Sequence, residues 1–524
     1  MRDEKIEQLL SIAGNENRYQ YFALFIFLIL WINCNFMAPV LPYLEREPIV
    51  KYNNENKTLN FDICDSKNYE IIERFGYSWV SEFGIECDKF SIGLIDAFTF
   101  IGNTLGSVAF AIVQKYFSHK NILLLSSWFF IFSIYFATLI HDANYFFWIL
   151  ISLVFMGLFG DLLCYSSLVV CEEIISSRKR AFFSSIINMG YGLCGIIYSF
   201  IYMYVQNWRY DFYISIFFSF IIFIFIAFFT YDSPRRYIDN KDIKNVKKIL
   251  QGIAKFNGLE KEFLEKFESD EYQKLIKDIM EYDYDNNNDK DIELNEIESN
   301  DKNNKLINSQ QKNNNHDKKV QISAFISLKY PSLRYKFLIL CILWFGTRST
   351  SNCIALYSKA LPGNYYFNII ILFAFESIAY IISGLLINLK FLGRKGTLYS
   401  QYFIITIGFL LLSFIKFSLP VELTLNFIIR FCAAAIELVY FTYTLEVYPT
   451  PIRSVNFGVN VTCGNIGSIL APMVYEYLPS WMFLFIFALL SIFHSILLVF
   501  LPETEGKPMI ESIDEINNDK YTTK

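Results

Sequence analysis

The sequence predicts an all-α integral membrane protein of twelve transmembrane helices, arranged as two pseudo-symmetric six-helix bundles. Three observations lead there. The 524 residues are 54% hydrophobic and 18% aromatic, and largely uncharged runs long enough to cross a bilayer dominate the chain. Those runs fall six before and six after the polar stretch 233–335. Junction residues also recur at a nearly fixed interval. The frame Glu173 to Arg180 returns as Glu446 to Arg453, Lys120 returns as Lys395, and Asp232 returns as Glu503, at spacings of 273, 275 and 271 residues. A duplicated six-helix unit is a recurrent transporter design.

Residues 1–18 are polar, lack the apolar core and cleavage site of a signal peptide, and are expected to be a cytoplasmic N-terminus. The N-terminal bundle is expected over 19–232. Its first span is the uncharged run 19–44, and the others lie near 92–113, 121–141, 144–171, 181–205 and 210–231. The polar loop 45–90 holds Cys64, Cys87 and the sequon Asn56-Lys57-Thr58. If it is extracytoplasmic, a disulfide and a glycan at Asn56 are open to it; two free thiols and an unused sequon are the alternative.

The stretch 233–335 is expected to be a cytoplasmic linker. Val246, Ile249, Leu250 and Ile253 mark an amphipathic helix, and Leu264, Phe267, Leu275, Ile276 and Ile279 suggest more. The Asn- and Asp-rich insert 283–319 has the composition of a disordered linker. The C-terminal bundle follows over 336–502, with spans near 336–358, 364–389, 396–416, 423–445, 455–475 and 480–501, and 503–524 is a cytoplasmic tail. Lys115, Lys120, Arg178 to Arg180, Lys390, Arg394, Lys395 and Arg453 gather on one side, which sets both termini in the cytoplasm.

Five charges sit well inside apolar runs: Asp161, Arg348, Glu376, Arg430 and Glu437. Each costs about 2.5–3.5 kcal/mol at a helix centre, so they should face a bundle interior or a watery cavity. Arg430 and Glu437 are two turns apart and share a face; mutual pairing as structural glue is the plain alternative. Asp96 lies near a span end, where it is expected to reach water. Gly102 with Gly106, Gly192 with Gly195, and Gly464 with Gly467 provide small surfaces for close helix packing.

The four histidines are dispersed and read as interfacial or solvated, and the cysteines show no metal-ligand spacing. No metal, cofactor, nucleic-acid partner or enzymatic activity is expected. Pro449 and Pro451 stop a helix beside Glu446 and Arg453, where an acid and a base can pair with each other or with a neighbouring helix end. Such a pair can latch one conformation.

Several motifs resemble a known family. They are Ser81 to Asp88, Asp232-Ser233-Pro234-Arg235, Asn245 to Asn257, Trp344-Phe345, Leu361-Pro362-Gly363-Asn364, Gly393-Arg394-Lys395, Glu446 to Arg453, Gly467 to Pro472 and Leu501 to Pro508. Together they resemble the organic cation/anion transporter branch of the major facilitator superfamily, with the synaptic-vesicle-protein-like carriers close by. The likeness covers nearly all of the chain outside the insert. It implies a secondary active or facilitative carrier that moves a small organic ion or zwitterion by alternating access, with a sugar or phosphate carrier and a non-transporting receptor as alternatives. The expected partners are the lipid bilayer and a small-molecule substrate, with proton coupling open, and the plasma membrane is favoured over endomembranes.

The candidate cavity set is Asp161, Arg348, Glu376, Arg430, Glu437 and Asn465. The candidate cytoplasmic gate, carried from the resemblance, is Glu173, Arg180, Arg394, Lys395, Glu446 and Arg453. Two departures stand out. Lys115 takes the acidic position of the Ala111–Lys120 loop, and Asn465 is neutral where the branch often places a charge.

Overall fold

The computed structural model describes residues 2–504 except 15–16, 47, 53–54, 59–63, 65–69, 74–77, 115, 176, 240, 280–325, 329, 360–363, 387–391 and 476. The insert expected over 283–319 and most of the tail lie outside the described residues. The chain divides into two compact units.

The larger unit covers 24–171, 178–230 and 324–524, and the membrane helices dominate it. The first apolar run is two helices, α2 (Arg18–Cys34) and α3 (Met37–Leu44), rather than one. Pro39 accounts for the break, because its ring excludes the carbonyl four residues back from a continuous helix. The Asn35 amide caps the end of α2 by donating to the Trp31 carbonyl at 2.9 Å.

The loop that follows is more ordered than its polarity suggests. Strands β1 (Ile49–Tyr52), β2 (Glu55–Thr58) and β3 (Glu70–Glu73) form an antiparallel sheet in the order β2-β1-β3, and a short helix, α4 (Trp79–Glu82), comes next. Val50 is fully buried in the sheet against Tyr52, Cys64 and Ile71. Cys64 is bonded to Cys87, with a Cα–Cα distance of 5.8 Å.

The first half then continues with α5 (Lys89–Val113), α6 (His119–Thr138), α7 (Phe146–Glu173), α8 (Ser177–Val205) and α9 (Trp208–Phe229). Side-chain caps fix three of their starts: Asp88 accepts from the Ser91 N–H, Ser118 from Asn121 and Asn207 from Arg209. Ser91 also holds the Asp88 carboxyl below its ordinary range, chiefly through its hydroxyl.

The second half is α14 (Pro331–Lys359), α15 (Tyr365–Leu386), α16 (Gly393–Phe414), α17 (Leu419–Val447), α18 (Thr450–Tyr475) and α19 (Ser480–Val499). Among the described residues, eleven helices are long and apolar enough to cross a membrane. The remaining span, α18, is 26 residues long and carries several buried amide and hydroxyl side chains. Asn456, Asn460, Asn465 and Ser468 are all buried along it. Phe217, Phe228, Phe403 and Phe414 are exposed on other helices, as befits faces that meet acyl chains.

Close helix approach follows the small residues. A side chain at Gly195 or Gly192 of α8 would overlap Phe373 or Ser377 of α15, and one at Gly467 of α18 would overlap Phe345 and Ser349 of α14. Gly393 opens α16 at φ +62°. It lies so near the Glu503 carboxylate that a β-carbon would meet it at 2.9 Å.

The smaller unit covers 1–23, 172–177 and 231–323. The N-terminus is not simply polar. It forms helix α1 (Arg2–Ser11), with Ile6, Leu9 and Leu10 buried. The linker forms α10 (Pro234–Asp239), α11 (Ile243–Asn257), α12 (Glu260–Phe267) and α13 (270–279). The α11 stripe buries Val246, Ile249, Leu250 and Ile253. Asn257 ties this unit together. Its Oδ1 accepts from the Tyr19 N–H and its Nδ2 donates to the Ala13 carbonyl, both at 2.8 Å.

Candidate functional site

Four of the five intramembrane charges pair between helices. Arg430 of α17 donates to Glu376 of α15 at 2.6 and 3.2 Å, and to the carbonyl and hydroxyl of Ser351 on α14 at 2.8 Å. Tyr380 adds a hydroxyl to Glu376 at 3.3 Å. The Arg430 and Glu376 side chains are only 3% and 1% exposed, so the pair is shielded from bulk solvent. Arg348 of α14 pairs with Glu437 of α17 at 2.9 Å. Arg430 and Glu437 therefore bond to different partners and not to each other. The shared helical face was legible in the sequence, but the partner choice depends on which neighbouring helix faces that stripe.

A cavity lies among α2, α3, α5, α7, α8, α14, α15, α17 and α18. Asp161, Arg348, Glu376, Glu437 and Asn465 line it, with Asn103, Asn188, Tyr165 and Tyr191. It leaves about 90 Å³ for the centres of water molecules, room for several waters. Arg430 and Asp96 line an adjoining pocket that shares Ala38, Phe100, Tyr191 and Asn352 with the first. Asp96 is thus not a solvent-facing span end. Helix α5 begins at Lys89, which carries Asp96 two turns in and buries it.

Three buried polar atoms at the cavity lack a hydrogen-bond partner among the described residues: Asp161 Oδ2, Asn465 Nδ2 and Arg348 Nε. Sequence reasoning missed the amides Asn35, Asn103 and Asn188 as cavity residues. Their signal was available as neutral polar side chains inside uncharged runs. His494, expected to be solvated, is fully buried against Tyr402 and Gly346, and His119 is buried as well. Both imidazoles pack against aromatic rings, which the sequence position alone did not show. Among the described residues no group of His, Cys, Asp and Glu could hold a metal.

At one end of the helices, the two halves repeat one arrangement. Lys395 donates to the carbonyls of Leu501 at 2.7 Å and Val499 at 3.4 Å, and Lys120 to those of Thr230 at 2.7 Å and Ala227 at 3.1 Å. Glu446 accepts from Thr504, and Glu173 accepts from Ser233. Arg394 binds Glu446 through two nitrogens at 2.9 and 3.2 Å. Glu503 accepts the N–H groups of Arg394 and Lys395, each at 3.0 Å. Arg453 donates to the Tyr448 carbonyl at 3.2 Å. The Arg180 side chain and Lys115 lie outside the described residues.

At the opposite end, Tyr43 of α3 stacks between Tyr202 of α8 and Tyr366 of α15, with centroids at 4.8 and 5.5 Å. Tyr365 donates to the Pro42 carbonyl at 2.6 Å, and the Arg46 guanidinium covers its ring at 4.6 Å.

Comparison with known proteins agrees with this architecture. The Major Facilitator Superfamily model matches residues 23–472. The chain belongs to that superfamily. Among its curated relatives, Organic cation transporter 1 of Caenorhabditis elegans is 24% identical over 92% of this chain and 74% of its own length. Organic cation/carnitine transporter 2 of Rattus norvegicus is 25% identical over 83% and 71%. The solved structure of the proton:xylose symporter XylE aligns over 99% of each chain with a TM-score of 0.62 at 12% identity, and so supports the fold alone. This major facilitator chain is an integral, multi-pass membrane transporter, and the matched relatives lie in the organic cation/anion branch.

Proposed function

We propose that this transporter moves a small organic ion or zwitterion by alternating access, and that Asp161 meets the positive end of the substrate. One observation carries the reading. Arg348 is matched by Glu437 and Arg430 by Glu376, while Asp161 Oδ2 is buried with no partner among the described residues. A carboxylate left over at a low-dielectric cavity favours a cationic group or a proton. Tyr165, Tyr191, Tyr380 and Trp31 line the same cavity, and aromatic rings suit an organic cation. Arg348, Glu376, Arg430, Glu437 and Asn465 shape the rest of the site.

Glu446, Arg394, Lys395 and Arg453 of the larger unit form the inner gate of the second half in this reading. Basic short loops put that end, and both termini, in the cytoplasm. The sheet-bearing loop then faces outward, where Asn56 on β2 is a glycan acceptor. The plasma membrane fits that topology.

Uptake by the purified full-length chain in proteoliposomes tests the proposal. The panel holds quaternary ammonium ions, betaines, carboxylates, a hexose and phosphate, each with and without a pH gradient. Cation or betaine flux that weakens in Asp161→Asn is expected. A response to the gradient distinguishes proton coupling from uniport. Flux of hexose or phosphate alone, or ligand binding without flux, would overturn the proposal.

A further inference from the structure

We propose that Cys34 and Cys164 form an oxidisable dithiol in the cavity wall, a modification site at which hydrogen peroxide joins the first span to α7. The inference stands apart from the choice of substrate. The two sulfurs are 2.9 Å apart, inside van der Waals contact, although both cysteines are free. They belong to α2 and α7, 130 positions apart. The Asn35 amide lies at 3.6 Å from Cys34 Sγ and 3.3 Å from Cys164 Sγ, so one side chain holds both thiols in place.

Access is through the cavity, since both cysteines line it. Hydrogen peroxide is little larger than water and fits a space that holds several waters. One cysteine gives up its proton and attacks a peroxide oxygen as the thiolate, the O–O bond breaks, the leaving hydroxide takes up that proton as water, and a sulfenic acid results. The second thiol then displaces the hydroxyl as water and forms the S–S bond. In sum, two thiols and one peroxide give one disulfide and two waters, and peroxide is the two-electron oxidant.

The placement gives the bond a consequence. Cys34 is the last residue of α2, at the break before α3. Cys164 is one turn from Asp161 on the same face of α7. A covalent tie there fixes the broken first span against the helix that bears Asp161. Neither helix can then move alone.

The experiment uses the purified full chain in detergent, exposed briefly to hydrogen peroxide, with remaining thiols alkylated. Non-reducing peptide mapping is expected to find the Cys34 peptide linked to the Cys164 peptide in most molecules, with release by dithiothreitol. The Cys64–Cys87 link is the internal reference. The unfolding midpoint is expected to rise after oxidation, because the cross-link restricts the unfolded chain. The rise should be absent in Cys34→Ser and Cys164→Ser, each compared with its own untreated sample. Recovery of both cysteines unlinked, or the same rise in both serine variants, would overturn the proposal. Mapping of the native chain decides the matter even if a variant fails to fold.

Discussion

Asp161 and Glu376 are both carboxylates within the membrane helices, and they meet opposite surroundings. Glu376 is bound by Arg430 and Tyr380; Asp161 Oδ2 is bound by nothing described. Their substitutions should therefore separate. Asp161→Asn removes a buried charge whose Oδ2 has no hydrogen-bond partner among the described residues, so the unfolding midpoint should hold or rise. Cation uptake should fall at least tenfold in efficiency, a loss of about 1.4 kcal/mol. Glu376→Gln instead strands Arg430 in an apolar setting, and breaking a buried pair costs about 3–5 kcal/mol. Thermal denaturation should show a large drop for Glu376→Gln and a smaller one for Glu376→Gln with Arg430→Met. A loss in the double variant equal to the sum of the Glu376→Gln and Arg430→Met losses would mean that the pair is not coupled.

Helices were the most legible part of the sequence, because a bilayer demands about 20 apolar residues per crossing. Predicted and observed spans differ mainly where polar ends such as Pro331–Arg334 extend a helix beyond its apolar run. The break after Cys34 was harder to see. An uncharged run reads as continuous unless the proline at 39 is given its steric weight. The sheet at 49–73 was not legible, since its strands are four residues each and mostly polar.

Glycines located the close crossings, but their partners waited for the structure. Gly192 and Gly195 accept Ser377 and Phe373. Gly195→Ala should cost about 1–3 kcal/mol by overpacking and slow transport. An unchanged midpoint and rate would show that α8 and α15 can part freely. Glu446 binds both Arg394 and Thr504. Glu446→Gln should lower the maximal uptake rate with little change in half-saturation, because the residue is remote from the cavity lining.

Taken across the whole chain, the repeat spacing found in the sequence reappears as matched hydrogen bonds at Lys120 and Lys395. Charge identities alone could not have given the acceptors, which are backbone carbonyls at the ends of other helices. The order of the smaller unit was partly hidden. Helix α1 looked polar because only one side of it is apolar. Asn257→Ala leaves the Tyr19 N–H and the Ala13 carbonyl without their partner, and a buried unsatisfied group costs about 1–3 kcal/mol. Faster proteolysis within 1–23 and 231–279 is the expected readout, with the membrane helices still protected.

The tyrosines around Tyr43 have a thermal consequence. If substrate enters by parting α3 from α8 and α15, two stacked faces are wetted at each cycle. Hydrating aromatic surface raises heat capacity. Uptake against reciprocal temperature should then bend rather than run straight, and Tyr43→Ala should straighten it.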